Sequence, residues 1–135
     1  MGQISLFVTL EFLSVNLLLQ NQLEEAELLA REGLAIYEKD HPGELEWRGP
    51  YLKNVLGGIL LAQKKYKEAE LLLVQGYEGM KQGEALIIAL WRYRLTEAGE
   101  RVIRYYEETN QPEKAREWRE KVKVQERATV PAGVR

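Results

Sequence analysis

A chain of 135 residues with 45% apolar and 30% charged side chains holds enough material for one compact folded domain. Its formal charge of −2 argues against nucleic acid or an anionic membrane as partner, because both need a basic excess on the protein. The absence of cysteine excludes disulfides, a thiolate nucleophile and a thiolate metal site, and it fits a reducing compartment, here expected to be the cytoplasm.

Apolar spacing is helical throughout, without sustained strand alternation. The first helix is expected over about Ile4 to Gln20, with Asn21-Gln22 as its turn. This start is not read as a signal peptide, since it lacks a basic n-region and a small-residue cleavage site. Glu11 and Asn16 also make it too polar to span a bilayer, so no membrane partner is expected. A second helix runs from Leu23 to about Glu38 and stops at Asp40-His41-Pro42-Gly43, where proline cannot continue it. Gly49-Pro50 opens a third helix, which ends near Gln63 and turns at Lys64-Lys65. The fourth starts near Tyr66 and breaks at Gly83, with Gly76 and Gly79 each expected to weaken it. The segment Ala85 to Tyr93 is apolar and free of proline and glycine, and it is not assigned to an element. A fifth helix covers about Leu95 to Glu108, and a sixth begins at Pro112 and fades near Gln125, leaving 126–135 as a frayed tail.

Two stretches are near copies: Gln22-Leu23-Glu24-Glu25-Ala26-Glu27-Leu28-Leu29 and Lys65-Tyr66-Lys67-Glu68-Ala69-Glu70-Leu71-Leu72. A weaker echo is Gln111-Pro112-Glu113-Lys114-Ala115-Arg116-Glu117-Trp118. The anchor alanines Ala26, Ala69 and Ala115 stand 43 and 46 residues apart. Self-similarity at such a spacing predicts an all-α solenoid of about six helices, in three helix-turn-helix repeats over 4–40, 49–83 and 94–125 within one domain, 1–125. Each alanine belongs where two helices cross closely, and Gly57-Gly58 permits a similar approach.

The residues resemble the tetratricopeptide repeat: Leu56, Gly57, Leu60, Tyr66, Ala69 and Leu73 fill its pattern in the middle repeat. The matches in the first repeat are Leu13, Ser14, Leu17, Leu23, Ala26 and Ala30, and in the third Val102, Ile103, Tyr106 and Ala115. The repeat exceeds the standard length of about 34 residues. It is similar to the longer variety of kinesin light chain, whose repeats often join through a loop containing His-Pro, as at His41-Pro42. Gln63-Lys64-Lys65-Tyr66, Gln75-Gly76-Tyr77-Glu78-Gly79-Met80-Lys81 and Arg94-Leu95-Thr96-Glu97-Ala98 look like the C-terminal repeats of large bacterial proteins of this type. Many of those, common in planctomycetes, carry a serine/threonine kinase domain. No glycine-rich phosphate loop or His-Arg-Asp sequence of a kinase is present in this chain. The run Ile87-Ile88-Ala89-Leu90-Trp91 departs from that likeness, which implies a more polar, proline-containing connection.

The resemblance implies that the first helix of each repeat lines a concave groove. By register the groove positions are Val8, Glu11, Val15, Leu18 and Leu19, then Tyr51, Asn54, Gly58, Leu61 and Ala62, then Glu97, Glu100, Arg104, Glu107 and Glu108. That groove runs from apolar to acidic and would suit an apolar or basic peptide. The longer repeats often carry asparagine at the place of Asn54, which could hold an extended peptide by its backbone amide; the alternative is an exposed helix asparagine.

The last helix carries Arg116, Glu117, Arg119, Glu120, Lys121 and Lys123 as a polar cap, whereas the first is apolar nearly all round. Something is expected to cover it, either upstream repeats or a second copy of the chain, with Phe7 and Leu10 in the contact. Ile87, Leu90 and Trp91 form a second candidate interface, although core packing is the alternative for the late aromatic residues. A lone histidine makes no metal site, and pairs such as Glu107-Glu108 read as solvated helix faces. No acid/base or nucleophile constellation appears. The expectation is therefore a cofactor-free, non-catalytic bacterial module that binds a protein or peptide, with self-association or service as the regulatory tail of a signalling protein as alternatives.

Overall fold

The computed structural model describes residues 2–40 and 46–129; the His41-Pro42 junction and the last part of the expected tail lie outside these. Six helices follow one another: α1 (Gly2–Leu19), α2 (Leu23–Asp40), α3 (Arg48–Ala62), α4 (Tyr66–Gln82), α5 (Tyr93–Glu108) and α6 (Pro112–Thr129). The described residues contain no strand. The sixth helix thus runs four residues beyond its expected end at Gln125.

Three turns of the same construction set the hairpins. At Asn21, Lys64 and Asn110 the backbone enters the left-handed region, with φ of 62°, 65° and 59°. The following amides close the helix ends: Gln22 N–H donates to Leu17 O at 2.8 Å, Lys65 N–H to Leu60 O at 2.9 Å, and Gln111 N–H to Tyr106 O at 2.8 Å. This is the Schellman closure, which satisfies carbonyls that a helix end leaves unpaired. Asparagine tolerates the left-handed conformation at two turns; Lys64 adopts it at a steric cost.

Within each hairpin the helices pack antiparallel, and the hairpins stack through α2 against α3 and α4 against α5. The first helices touch one another in order, α1 to α3 and α3 to α5. Ala26, Ala69 and Ala115 are all buried at the crossings. The α3–α4 crossing brings backbone against backbone: a Cβ on Gly76 would lie 2.6 Å from Asn54 N and Pro50 O, and one on Gly57 2.8 Å from Leu73 N. The helix propensity lost at Gly76 is thus exchanged for backbone contact with α3, which explains why α4 continues through it.

α3 is covered on nearly every side, with Tyr51, Leu52, Val55, Ile59 and Leu60 at 0% exposure. Between α4 and α5 the segment 83–92 makes two short 3-10 turns, Glu84–Leu86 and Ala89–Trp91. Ile87 plugs the core between them, and Arg92 Nε donates to its carbonyl at 3.1 Å.

Candidate functional site

The first helices enclose a cleft of about 500 Å³. Val15, Leu18 and Leu19 of α1 and Gly58, Leu61 and Ala62 of α3 form an uncharged half. α5 forms the other half with Arg94, Glu97, Glu100, Arg101, Arg104 and Glu108. The helical repeat places these residues three, four or seven apart, so each helix turns one stripe to the cleft.

Beneath the charged half lies a connected polar network. Asn54 Nδ2 donates to the carbonyls of Leu73 on α4 and Ala98 on α5, at 3.0 and 3.1 Å. Its Oδ1 accepts from Arg101 Nη1 at 3.1 Å, and Arg101 Nη2 donates to Glu97 Oε1 at 2.8 Å. Tyr51 donates its hydroxyl proton to the same Glu97 oxygen and accepts from Arg94 Nη1 at 2.7 Å. Arg94 Nη1 also reaches both Glu97 oxygens, at 3.2 and 3.1 Å. One carboxylate therefore serves two nearly buried guanidiniums and a phenol, and Asn54 ties three helices together. Burial, with Glu97 adding to it, pushes the Tyr51 phenol well above its ordinary pKa. Burial opposes the charge on Arg94, but Tyr51 and Glu97 outweigh it and hold the guanidinium charged.

Next to this network Glu11 is fully buried and accepts two hydrogen bonds from Arg48 Nη1, at 2.7 and 2.8 Å. Desolvation raises its carboxyl above the usual range even though Arg48 pulls the other way. Aromatic rings pack around Arg48. Trp91 lies 6.0 Å from Phe12 and 6.4 Å from Trp47, and the Arg48 guanidinium sits 4.7 Å from Trp47 and 4.9 Å from Trp91. The segment 83–92 is thereby pinned across α1 and α3 as an apolar strap, in place of the polar connection expected there.

Of the residues expected in the groove, Gly58, Leu61, Glu97, Glu100 and Arg104 line the cleft, together with Val15, Leu18, Leu19, Ala62 and Glu108. The remaining groove positions, Val8, Glu11, Tyr51, Asn54 and Glu107, do not line the cleft. Asn54 and Tyr51 are at 0% exposure with their polar atoms engaged inside the protein, so neither is free to grip a peptide. Glu11 likewise sits beneath the surface, paired with Arg48, and Glu107 pairs with Arg119 at 2.7 Å away from the cleft.

The acidic end expected of the groove is also corrected. Arg94, Arg101 and Arg104 face Glu97, Glu100 and Glu108, three charges of each sign. The signal for Arg94 and Arg101 was present in their spacing three before and four after Glu97, which puts all three on one helix face.

The expected interface residues divide. Phe7, Leu10 and Ile87 are buried in the chain's own core and present nothing to a partner. Leu90 is 70% exposed, and Trp91 is half-buried against Phe12 and Trp47. Among the described side chains of α1, the large exposed apolar residues are instead Leu6, Phe12, Leu13 and Leu19. Among the described residues no group of three or more His, Asp or Glu side chains gathers as a metal site, and no helix is long and apolar enough to cross a membrane. No protein family, curated protein or solved structure matches this chain.

Proposed function

We propose that this chain is a non-catalytic interaction module of the tetratricopeptide kind that holds a short extended segment of a partner protein in the cleft between α1, α3 and α5. The observation that carries this reading is the division of the cleft. Its uncharged half, Val15, Leu18, Leu19, Leu61 and Ala62, can take apolar side chains out of water, while the evenly charged wall on α5 can orient polar backbone and side chains beside them. A cleft of about 500 Å³ suits a few residues of peptide rather than a folded domain. The balance of arginine and glutamate favours a ligand of mixed or no net charge over a strongly basic one.

Selection of peptides from a displayed random library against the whole chain tests this. Selected ligands should carry two or more apolar residues and lose at least about tenfold in affinity on Ala62→Lys, a change at an exposed position that leaves the fold intact. Ligands that bind Ala62→Lys and Leu19→Lys as well as the unmodified chain would refute the cleft as the site.

A further inference from the structure

The internal repeat exposes a second surface, independent of the cleft. Counted from the left-handed turn residues Asn21, Lys64 and Asn110, the first helices align residue by residue. Leu6, Thr9, Leu13 and Asn16 of α1 correspond to Gly49, Leu52, Leu56 and Ile59 of α3, and to Leu95, Ala98, Val102 and Tyr105 of α5. On α3 all four positions are buried, and α2 lies over them: Gly49 leaves room for the Tyr37 ring, and Leu52 meets Gly33. On α5 all four are buried again, with α4 alongside and Tyr66 of α4 against Tyr105. On α1 all four are exposed, Leu6 at 44% and Leu13 at 43%. The stripe contains no charged residue, and the one charged side chain of α1 with a described position, Glu11, points inward to Arg48.

We infer that this stripe is a docking face for an amphipathic helix, namely the second helix of a further hairpin of the same construction stacked ahead of α1. The occupant follows from what covers the equivalent stripes, α2 on α3 and α4 on α5. A second copy of this chain cannot supply that cover head to tail. Its free second helix is α6, where the counterparts of Tyr66 and Tyr77 are Pro112 and Lys123. Arg116, Arg119, Glu120 and Lys123 are exposed there, and laying them over Leu6 and Leu13 would strip charges of water without partners. The stack therefore presents charge at α6 and an uncharged stripe at α1.

The test is a chain in which a second copy of residues 48–92 is placed directly ahead of Ile4, which puts a copy of α4 where the register requires a covering helix. Amide hydrogen exchange at Leu6, Thr9, Leu13 and Asn16 should slow by about tenfold or more relative to the unmodified chain. The pair Leu6→Lys and Leu13→Lys should abolish that protection in the extended chain, yet leave the melting temperature of the unmodified chain within a few degrees. Equal exchange in the extended and unmodified chains would overturn the inference. So would reversible dimerisation of the unmodified chain that Leu13→Lys removes, because a second copy would then be the natural cover.

Discussion

Asn54 gives the sharpest test of how the cleft is built. Replacing it by alanine removes two neutral hydrogen bonds, to Leu73 O and Ala98 O, and one from the Arg101 guanidinium. Neutral bonds are worth about 0.5–1.5 kcal/mol each and a charged one about 1.5–3 kcal/mol. The two carbonyls lie inside helices and keep their helical partners, and Arg101 keeps Glu97, so no charge is left unpaired. The lower end of the range therefore applies, about 3 kcal/mol.

At about 2.1 cal/mol/K per residue, unfolding 135 residues releases an entropy near 0.28 kcal/mol/K, so the melting temperature should fall by about 10 °C. Asn54→Asp should lose at least as much at pH 7, because a carboxylate oxygen would replace the amide nitrogen that faces two carbonyls. Thermal unfolding followed by circular dichroism measures both. A shift within about 2 °C for Asn54→Ala would mean that the side chain is not engaged as described, since exposed substitutions stay within about 0.5 kcal/mol.

Three further outcomes follow from single groups. The Tyr77 hydroxyl is buried without a hydrogen-bond partner among the described residues, so Tyr77→Phe should leave stability unchanged or raise it by up to about 1 kcal/mol in urea unfolding. Burial pushes the Tyr77 phenol up to about 12 in the fold against an ordinary value near 10; its contribution is whole below pH 10 and lost as pH rises towards 12, and Tyr77→Phe should blunt that alkaline loss. Lys64 holds a φ of 65°, and Lys64→Gly should raise the melting temperature by about 2 °C as relief of strain slightly exceeds the entropy cost, whereas Lys64→Ala should give no gain. Glu11→Gln leaves Arg48 buried without its counter-charge and should cost about 3 kcal/mol, while Glu11→Leu combined with Arg48→Met should be neutral or stabilising in the same urea assay.

The hairpins were legible because their signals are local. The near-copies around Ala26 and Ala69, proline at 112 and glycine at 83 mark helix ends by backbone chemistry that no tertiary contact overrides. The first helices as cleft walls were legible through register, since Val15, Gly58 and Arg104 hold equivalent positions.

What escaped was the phase of burial within helices. α1 is apolar nearly all round, so its period cannot tell buried Phe7 and Leu10 from exposed Leu6 and Leu13; only the position of α2 does that. α3 is enclosed by α2, α4 and α5, so a polar residue such as Asn54 that would face water on an ordinary surface helix is instead bonded inward. Ile87 lies in a stretch without proline or glycine to mark an element, and its burial depends on two 3-10 turns that residue spacing does not announce.

On the proposed function, the surface between α1, α3 and α5 receives a partner segment. The most direct measurement is an amide chemical-shift titration of the whole isotope-labelled chain with the tightest peptide from the library selection. Binding in the cleft should give saturable shifts centred on Leu18, Gly58, Leu61, Arg101 and Arg104, with the amides of α6 unmoved. Shifts confined to α6 or to the outer stripe of α1, with those cleft residues silent, would contradict it.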